Sequence, residues 1–216
     1  MEREIRNISH YSDDIMIKKG VRSLFRNFWM VCIQIFQRRR KRSREIMIRI
    51  ELLSAENFNV DSLDNYPRKQ DVKKVYRKLD GEYILVDCVY TEDWDMEKRR
   101  SVAKAISSDD YVTYLAMEND EVVGFIGLKK DLVGPYMILD MMQVSAICRG
   151  QGIGRKLFAA GKEEARKAGA EALYISACSS EETIAFYKAM GAELTDCPIK
   201  EIAEDEPYDL QLVCYV

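Results

Sequence analysis

The amino-acid sequence predicts an α/β (α+β) fold, a mixed sheet flanked by helices. Three observations predict it. Strand-like and helix-like periodicities alternate from Met47 onward. An amphipathic segment, Gln151–Ala168, falls between two strand-like ones. The 216 residues are 47% apolar, with 11 Gly and 4 Pro. That composition supplies a sizeable core and excludes collagen-like, linker-dominated and disordered chains. At roughly 100–200 residues per domain, the length holds one domain with an appendage or two small ones.

The elements follow in order. Ile48–Leu53 reads as a strand. Lys69–Leu79 reads as a helix, because Val72, Val75, Tyr76 and Leu79 fall on one side. After the Asp80-Gly81 turn, Glu82–Tyr90 reads as a strand. Trp94–Ile106 reads as a helix. Tyr111–Met117 and Glu121–Leu128 are strands around Asn119-Asp120, a hairpin signal. Tyr136–Ser145 is a further strand. The helix Gln151–Ala168 places Ile153, Leu157, Gly161 and Ala165 on its buried face and turns Lys156, Glu163, Glu164, Arg166 and Lys167 outward. Gly169 ends it. Glu171–Ala177 is a strand, Glu181–Met190 a helix closed by Gly191, and two strands follow near 192–196 and 209–215.

The formal net charge of -3 hides an asymmetry. Residues 1–46 hold 12 Lys/Arg and 5 Asp/Glu, or +7; residues 47–216 hold 21 and 31, or -10. The acidic body repels nucleic acid phosphates, so no nucleic-acid partner is expected for 47–216. It suits a cationic small substrate, although simple solubility charge is the plainer reading. His10 is the single histidine, which speaks against a His-dependent triad or a multi-His metal site. No metal is expected. Six cysteines, at 32, 88, 148, 178, 197 and 214, form no C-x-x-C pair. They read as free thiols in a reducing, cytoplasmic setting.

The stretch Leu24–Phe36 is strongly apolar, and a basic cluster, Arg38–Arg44, follows it. Its longest uncharged run, Asn27–Gln37, has 11 residues. A spanning helix needs roughly 20. A signal peptide would be followed by small residues rather than by a basic cluster. Three readings stand: a translated leader outside the working domain, a basic amphipathic helix on a membrane surface, and a nucleic-acid-binding arm. The first is favoured, because Met47 stands directly before the first strand, and the membrane-surface helix is second.

The informative motif is Arg149-Gly150-Gln151-Gly152-Ile153-Gly154, between a strand and a helix. Glycines let a backbone approach a ligand closely, and the free N–H groups of a first helical turn favour an anion. A phosphate or pyrophosphate cradle and a plain tight connection fit this run equally well. It is not a P-loop, since Arg155 follows Gly154, and the strict G-x-G-x-x-G spacing fails.

A second block, Thr183-Ile184-Ala185-Phe186-Tyr187-Lys188-Ala189-Met190-Gly191-Ala192, follows a strand and the polar turn Cys178-Ser179-Ser180. Together the two motifs, R-x-x-G-x-G and A-F-Y-x-x-x-G-A, each in its expected element, resemble the bacterial-type GNAT superfamily of acetyl-CoA-dependent N-acetyltransferases. The resemblance covers about residues 111–196 well and 47–216 more loosely. Val123-Gly124-Phe125-Ile126-Gly127 is similar to the family's strand pair before the cofactor strand.

The resemblance implies a mostly antiparallel, twisted central sheet with a splayed strand pair. It divides the chain into an N-terminal extension, 1–46, and an acetyltransferase-like domain, 47–216. It implies acetyl-CoA as co-substrate. The loop Arg149, Gly150, Gln151, Gly152, Ile153 and Gly154 would hold its pyrophosphate, with a charge added by Arg155. The strand ending Met142, Gln143 and Val144 would splay from its neighbour and pair its free edge with the pantetheine arm. Tyr187 would protonate the departing thiolate and contact the cofactor, while Phe186 reads as core. Ser180 stands where the family often has Asn, with a shorter reach to the cofactor.

The implied reaction is direct attack of an amine on the thioester. An ammonium must lose a proton first. Asp140, an acid inside an apolar strand, is the candidate base, and an acid on the solvent face or paired with a Lys is the equal alternative. Cys148 precedes the helix start, where a thiol pKa can fall, and reads as incidental. Asp209 could meet a substrate amine, although a surface turn is the favoured reading. Residues 54–70 and 91–100 are expected to shape the acceptor pocket. The acceptor is a small-molecule or protein amine. A non-catalytic acyl-CoA-binding sensor or interaction module of the same fold is the alternative function.

Overall fold

A computed structural model describes residues 48–216. The readings made for residues 1–46 lie outside the described residues. Nine strands and four helices follow in chain order: β1 (Arg49–Leu52), β2 (Gln70–Leu79), β3 (Glu82–Glu92), α1 (Met96–Ile106), β4 (Tyr111–Glu118), β5 (Glu121–Lys129), β6 (Tyr136–Val144), α2 (Ile153–Lys167), β7 (Ala172–Ala177), α3 (Glu181–Ala189), β8 (Glu193–Leu194), α4 (Lys200–Asp205) and β9 (Leu210–Tyr215). Seven strands form one sheet in the order β1-β4-β5-β6-β7-β9-β8, and β2-β3 form a separate hairpin. All sheet pairs are antiparallel except β6 with β7.

The stretch 69–79 is a strand, not the helix its periodicity predicts. The cause is local. Asp80 (φ 50°) and Gly81 (φ 91°) both adopt the left-handed region. Two such residues make the hairpin turn whose twist suits paired strands. β3 then pairs β2 from Gln70↔Glu92 to Leu79↔Glu82. Val72 and Val75 are both buried, with a register shift in the β2–β3 pairing between Val72 and Lys74. Asn119 (φ 49°) and Asp120 (φ 66°) make the corresponding turn between β4 and β5, where it was expected. The turn of helix at Lys200–Asp205 has no counterpart in the sequence reading.

Three apolar clusters hold the sheet, the smallest being Ile138, Tyr174 and Val213. α2 lays Ile153, Leu157, Phe158 and Ala165 on one face, against Ile126, Leu128, Leu139, Leu173 and Ile175. Gly161 lets the helix approach: a Cβ there would stand 2.7 Å from Ile126 Cδ1. On the other face, α1 and the chain before β2 bring Val102, Ile106, Phe58, Leu63 and Tyr66 onto Leu115 and Phe125. Asp95 starts α1, its carboxylate accepting from Lys98 N at 2.7 Å.

One irregularity makes the site. β6 and β7 pair only from Tyr136↔Ala172 to Leu139↔Ile175. Beyond that point Met141–Val144 keep β5 as their partner, and Ser176 and Ala177 keep β9. The two strands share no further pairing. The β5–β6 register jumps from Gly127↔Met141 to Leu128↔Leu139, so Asp140 is the extra, bulged residue. A bulge bends its strand and adds local twist, which separates β6 from β7 at this point.

Candidate active site

The separated strands open into a cleft of about 560 Å3. One wall is Asp140–Val144 of β6, whose edge away from β5 has no strand partner. The other wall is Ser176–Cys178 at the end of β7. α3 contributes Glu182, Thr183, Phe186 and Tyr187. Arg68, Gln70 and Trp94 close the side next to the hairpin, and Glu206 and Asp209 enter from the start of β9.

The mouth is the turn into α2. Gly150 and Gly152 both have φ of +78°, which side-chain-bearing residues rarely adopt, and open space surrounds their Cα atoms. Gly152 is the N-cap of α2 and has no side chain to cap it. The first helical bond is Lys156 N to Gly152 O, 3.2 Å. The amides from Arg149 to Arg155 therefore have no backbone acceptor among the described residues. Consecutive free N–H groups at the positive end of a 15-residue helix form an anion site. Arg149 steadies it by donating Nε to Val144 O at 3.1 Å. Burial holds the Arg149 guanidinium below its ordinary pKa, and the positive charge of Arg68 adds to that.

Arg68 is itself buried. It pairs with Glu92 at 2.6 Å and lies over the Trp94 ring at 5.3 Å. Its Nε and Nη1 have no partner.

Tyr187 is 7% exposed and lines the cleft. Among the described residues nothing hydrogen-bonds its hydroxyl, although Phe158 and Phe186 hold its ring. Burial raises the phenol pKa well above its usual value, and the negative charges of Cys178 and Asp209 raise it further. The group stays protonated at neutral pH and can act as a proton donor.

The other sequence-predicted residues divide. Met142, Gln143, Val144, Arg149, Gly150, Gly152, Ile153, Gly154 and Arg155 line the cleft as a set. Gln151 does not; its side chain is exposed beside the loop. Ser180 lies outside the cleft lining. It is fully buried as the N-cap of α3, with its hydroxyl engaged by Thr183 and Gln70. Asp140 lines the cleft, but its carboxylate accepts from Tyr111 Oη and stands 3.9 Å from Lys129 Nζ. Burial pushes the Cys148 thiol up rather than down, so it is no activated nucleophile. Sequence reasoning missed Arg68, Gln70 and Trp94 individually, although the segments expected to shape the acceptor pocket contain all three.

The five described cysteines are free thiols. Among the described residues no cluster of His, Cys, Asp or Glu could hold a metal, and no helix is long and apolar enough to cross a membrane.

A cleft between splayed strands with a glycine cradle at a helix start can be compared with known proteins. The model of the acetyltransferase (GNAT) family matches residues 75–192, more than half of the chain. The chain belongs to the GNAT acetyltransferase family. No match is found among curated proteins. Solved GNAT-fold structures agree in architecture. A nourseothricin acetyltransferase superposes with a TM-score of 0.60 at 17% identity, covering 78% of this chain and 98% of that one. A structure from Bacillus anthracis str. Ames in complex with acetyl coenzyme A gives 0.58 at 19% identity, with 79% and 98% covered. The IAA acetyltransferase from Bacillus cereus ATCC 14579 gives 0.50 at 18%, with 79% and 100% covered. At these identities the likeness is one of fold. The mixed, mostly antiparallel sheet flanked by helices is the GNAT architecture.

Proposed function

We propose that this GNAT protein is an acetyl-CoA-dependent N-acetyltransferase acting on an amine of a small molecule or protein. The observation that carries the reading is the run of acceptor-free amides, Arg149 to Arg155, beside the unpaired edge of β6. Acetyl-CoA supplies an activated acyl group, and the residues present fit it. The amides and the α2 N-terminus take the diphosphate. The free edge of Met141–Val144 takes the amide groups of the pantetheine arm, as a sheet edge takes an extended peptide. Tyr187 donates its proton to the leaving thiolate. The neighbour from B. anthracis, solved with acetyl coenzyme A, supports the cosubstrate class.

Tyr187 favours an enzyme over an acyl-CoA sensor of the same fold. A binding module gains nothing from a phenol on the cleft wall whose ring Phe158 and Phe186 hold and whose hydroxyl no protein group engages among the described residues. Asp140 remains at the bulge that opens the cleft, where Tyr111 and Lys129 hold it. We place the protein in the cytoplasm on its free thiols, and assign any membrane-surface contact to residues 1–46.

Calorimetric titration of acetyl-CoA, CoA and ATP into the full chain tests the reading. Saturable binding of both CoA species, with little binding of ATP, is expected. No heat from acetyl-CoA at high micromolar concentration would reduce the glycine loop to a turn and end the proposal.

A further inference from the structure

The end of β7 carries a second feature. Leu210 pairs with Ala177 at the last register position of β7 and β9, so Asp209 stands opposite Cys178 on the open limb of the cleft. Asp209 and Glu206 line that cleft. Among the described residues no donor or cation pairs with the Asp209 carboxylate, whereas Asp140, on the opposite wall, has two partners. The charge of Asp209 reaches the Tyr187 phenol and the Cys178 thiol. Tyr187 is the independent observation: a residue 7% exposed that lines the same cleft, its hydroxyl without a protein partner among the described residues.

Resting on the acetyltransferase reading, we propose that Asp209 is the catalytic base, and that with Glu206 it forms an acidic subsite selecting a cationic primary amine. Asp209 takes one proton from the acceptor ammonium. The freed nitrogen lone pair forms the C–N bond at the thioester carbonyl. As the C–S bond breaks, Tyr187 gives its proton to sulfur, and the second nitrogen proton restores the phenol. Asp209 then releases its proton to solvent, so that one proton leaves per amide formed. The subsite also explains the acidity of the body: a multiply charged amine is drawn to a surface of the opposite sign.

The groups facing Asp209 are Glu92 on β3, Arg77 on β2, Glu206 before β9, Cys178 after β7 and Tyr187 on α3. Burial first, then Glu206 and Glu92, push its pKa up to about 6, against the opposing charge of Arg77. An acid at that value is ionised at pH 8 and protonated at pH 5. It is also a stronger base than an exposed carboxylate.

The test uses the full chain saturated with CoA and spermidine as the probe, by calorimetry at pH 8 and pH 5. Wild type is expected to bind spermidine at pH 8 and to lose at least tenfold in affinity at pH 5. Asp209→Asn is expected to lose at least tenfold at pH 8 and to be flat between the two pH values. Asp209→Glu is expected to recover the pH dependence. Spermidine acetylation, read as free CoA thiol, should fall 10²–10⁴-fold in Asp209→Asn. Wild-type spermidine binding that Asp209→Asn leaves unchanged overturns the inference. So does CoA binding without any spermidine binding in wild type, which would leave the acetyltransferase reading intact. A protein that binds spermidine through Asp209 but binds no CoA would instead overturn the acetyltransferase reading.

Discussion

Asp209 occupies a position that costs stability. Its folded pKa of about 6 lies above the ordinary 3.8, so the native chain binds a proton more tightly there than the unfolded chain does. For a raised carboxylate, stability falls as pH rises from about 4 to about 6, and the deficit persists above that window. Full enclosure at this shift would cost about 3 kcal/mol at ~1.36 kcal/mol per unit; Asp209 is only half-buried, and screening leaves about 1–2 kcal/mol. Asp209→Asn is therefore expected to be more stable than wild type by about that amount at pH 8, and equal to it at pH 4. Urea unfolding at the two pH values measures the difference. A variant less stable than wild type at pH 8 would mean that the carboxylate makes a favourable contact. Tyr187 is the reverse case, since its ring is packed by Phe158 and Phe186 and its hydroxyl has no partner. Tyr187→Phe should change stability by under about 0.5 kcal/mol, keep CoA affinity within about threefold, and lower kcat about 10²-fold. Unchanged kcat would remove the phenol from the mechanism.

Elements differ in how plainly their sequence announces them. α2 was legible because its apolar face recurs every four residues and polar groups fill the rest. The tight left-handed turn before it was legible because glycine adopts φ near +78° without strain, here at Gly150 and Gly152. β2 was not. Val72, Val75, Tyr76 and Leu79 mimic a helical stripe, and the decisive signal lies outside the segment, in Asp80-Gly81 and the β-branched partner strand. The local pattern lost to a partner that pairs along the whole strand. The bulge at Asp140 was equally hidden, because an acid in an apolar strand reads the same whether it faces a ligand or a lysine. Ser180 shows a related limit: the family position was identified from the motif, but whether its hydroxyl turns to the cleft or caps α3 depends on Gln70, 110 residues away. Arg68 and Trp94 carry no motif at all. Arg68 sits beside the bond that joins the chain before β2 to the turn after β6, Ala146 N to Pro67 O at 2.9 Å, and Trp94, after β3, lies under its guanidinium.

The sheet as a whole is two parts joined at one short seam. β1, β4, β5 and β6 form one part and β7, β9 and β8 the other. The seam runs only from Tyr136 to Leu139, and α2 packs across it on Leu139, Leu173 and Ile175. On the proposed function, acetyl-CoA in the cleft would replace the missing seam, with backbone-like partners for β6 and an anion for the start of α2. Such a ligand stabilises by RT ln(1 + [L]/Kd), about 2.7 kcal/mol at a hundredfold excess over Kd. For a chain of this size that raises Tm by roughly 5–10 °C. The gain should be localised. Amide hydrogen exchange with acetyl-CoA present should slow at Asp140–Val144 and Arg149–Arg155, where backbone groups gain partners. It should change little at Lys78–Tyr83, the hairpin end remote from the cleft lining. Protection confined to the hairpin end, or a Tm rise without slowing at Arg149–Arg155, would place the cofactor elsewhere. It would detach the splayed sheet from the chemistry proposed for it.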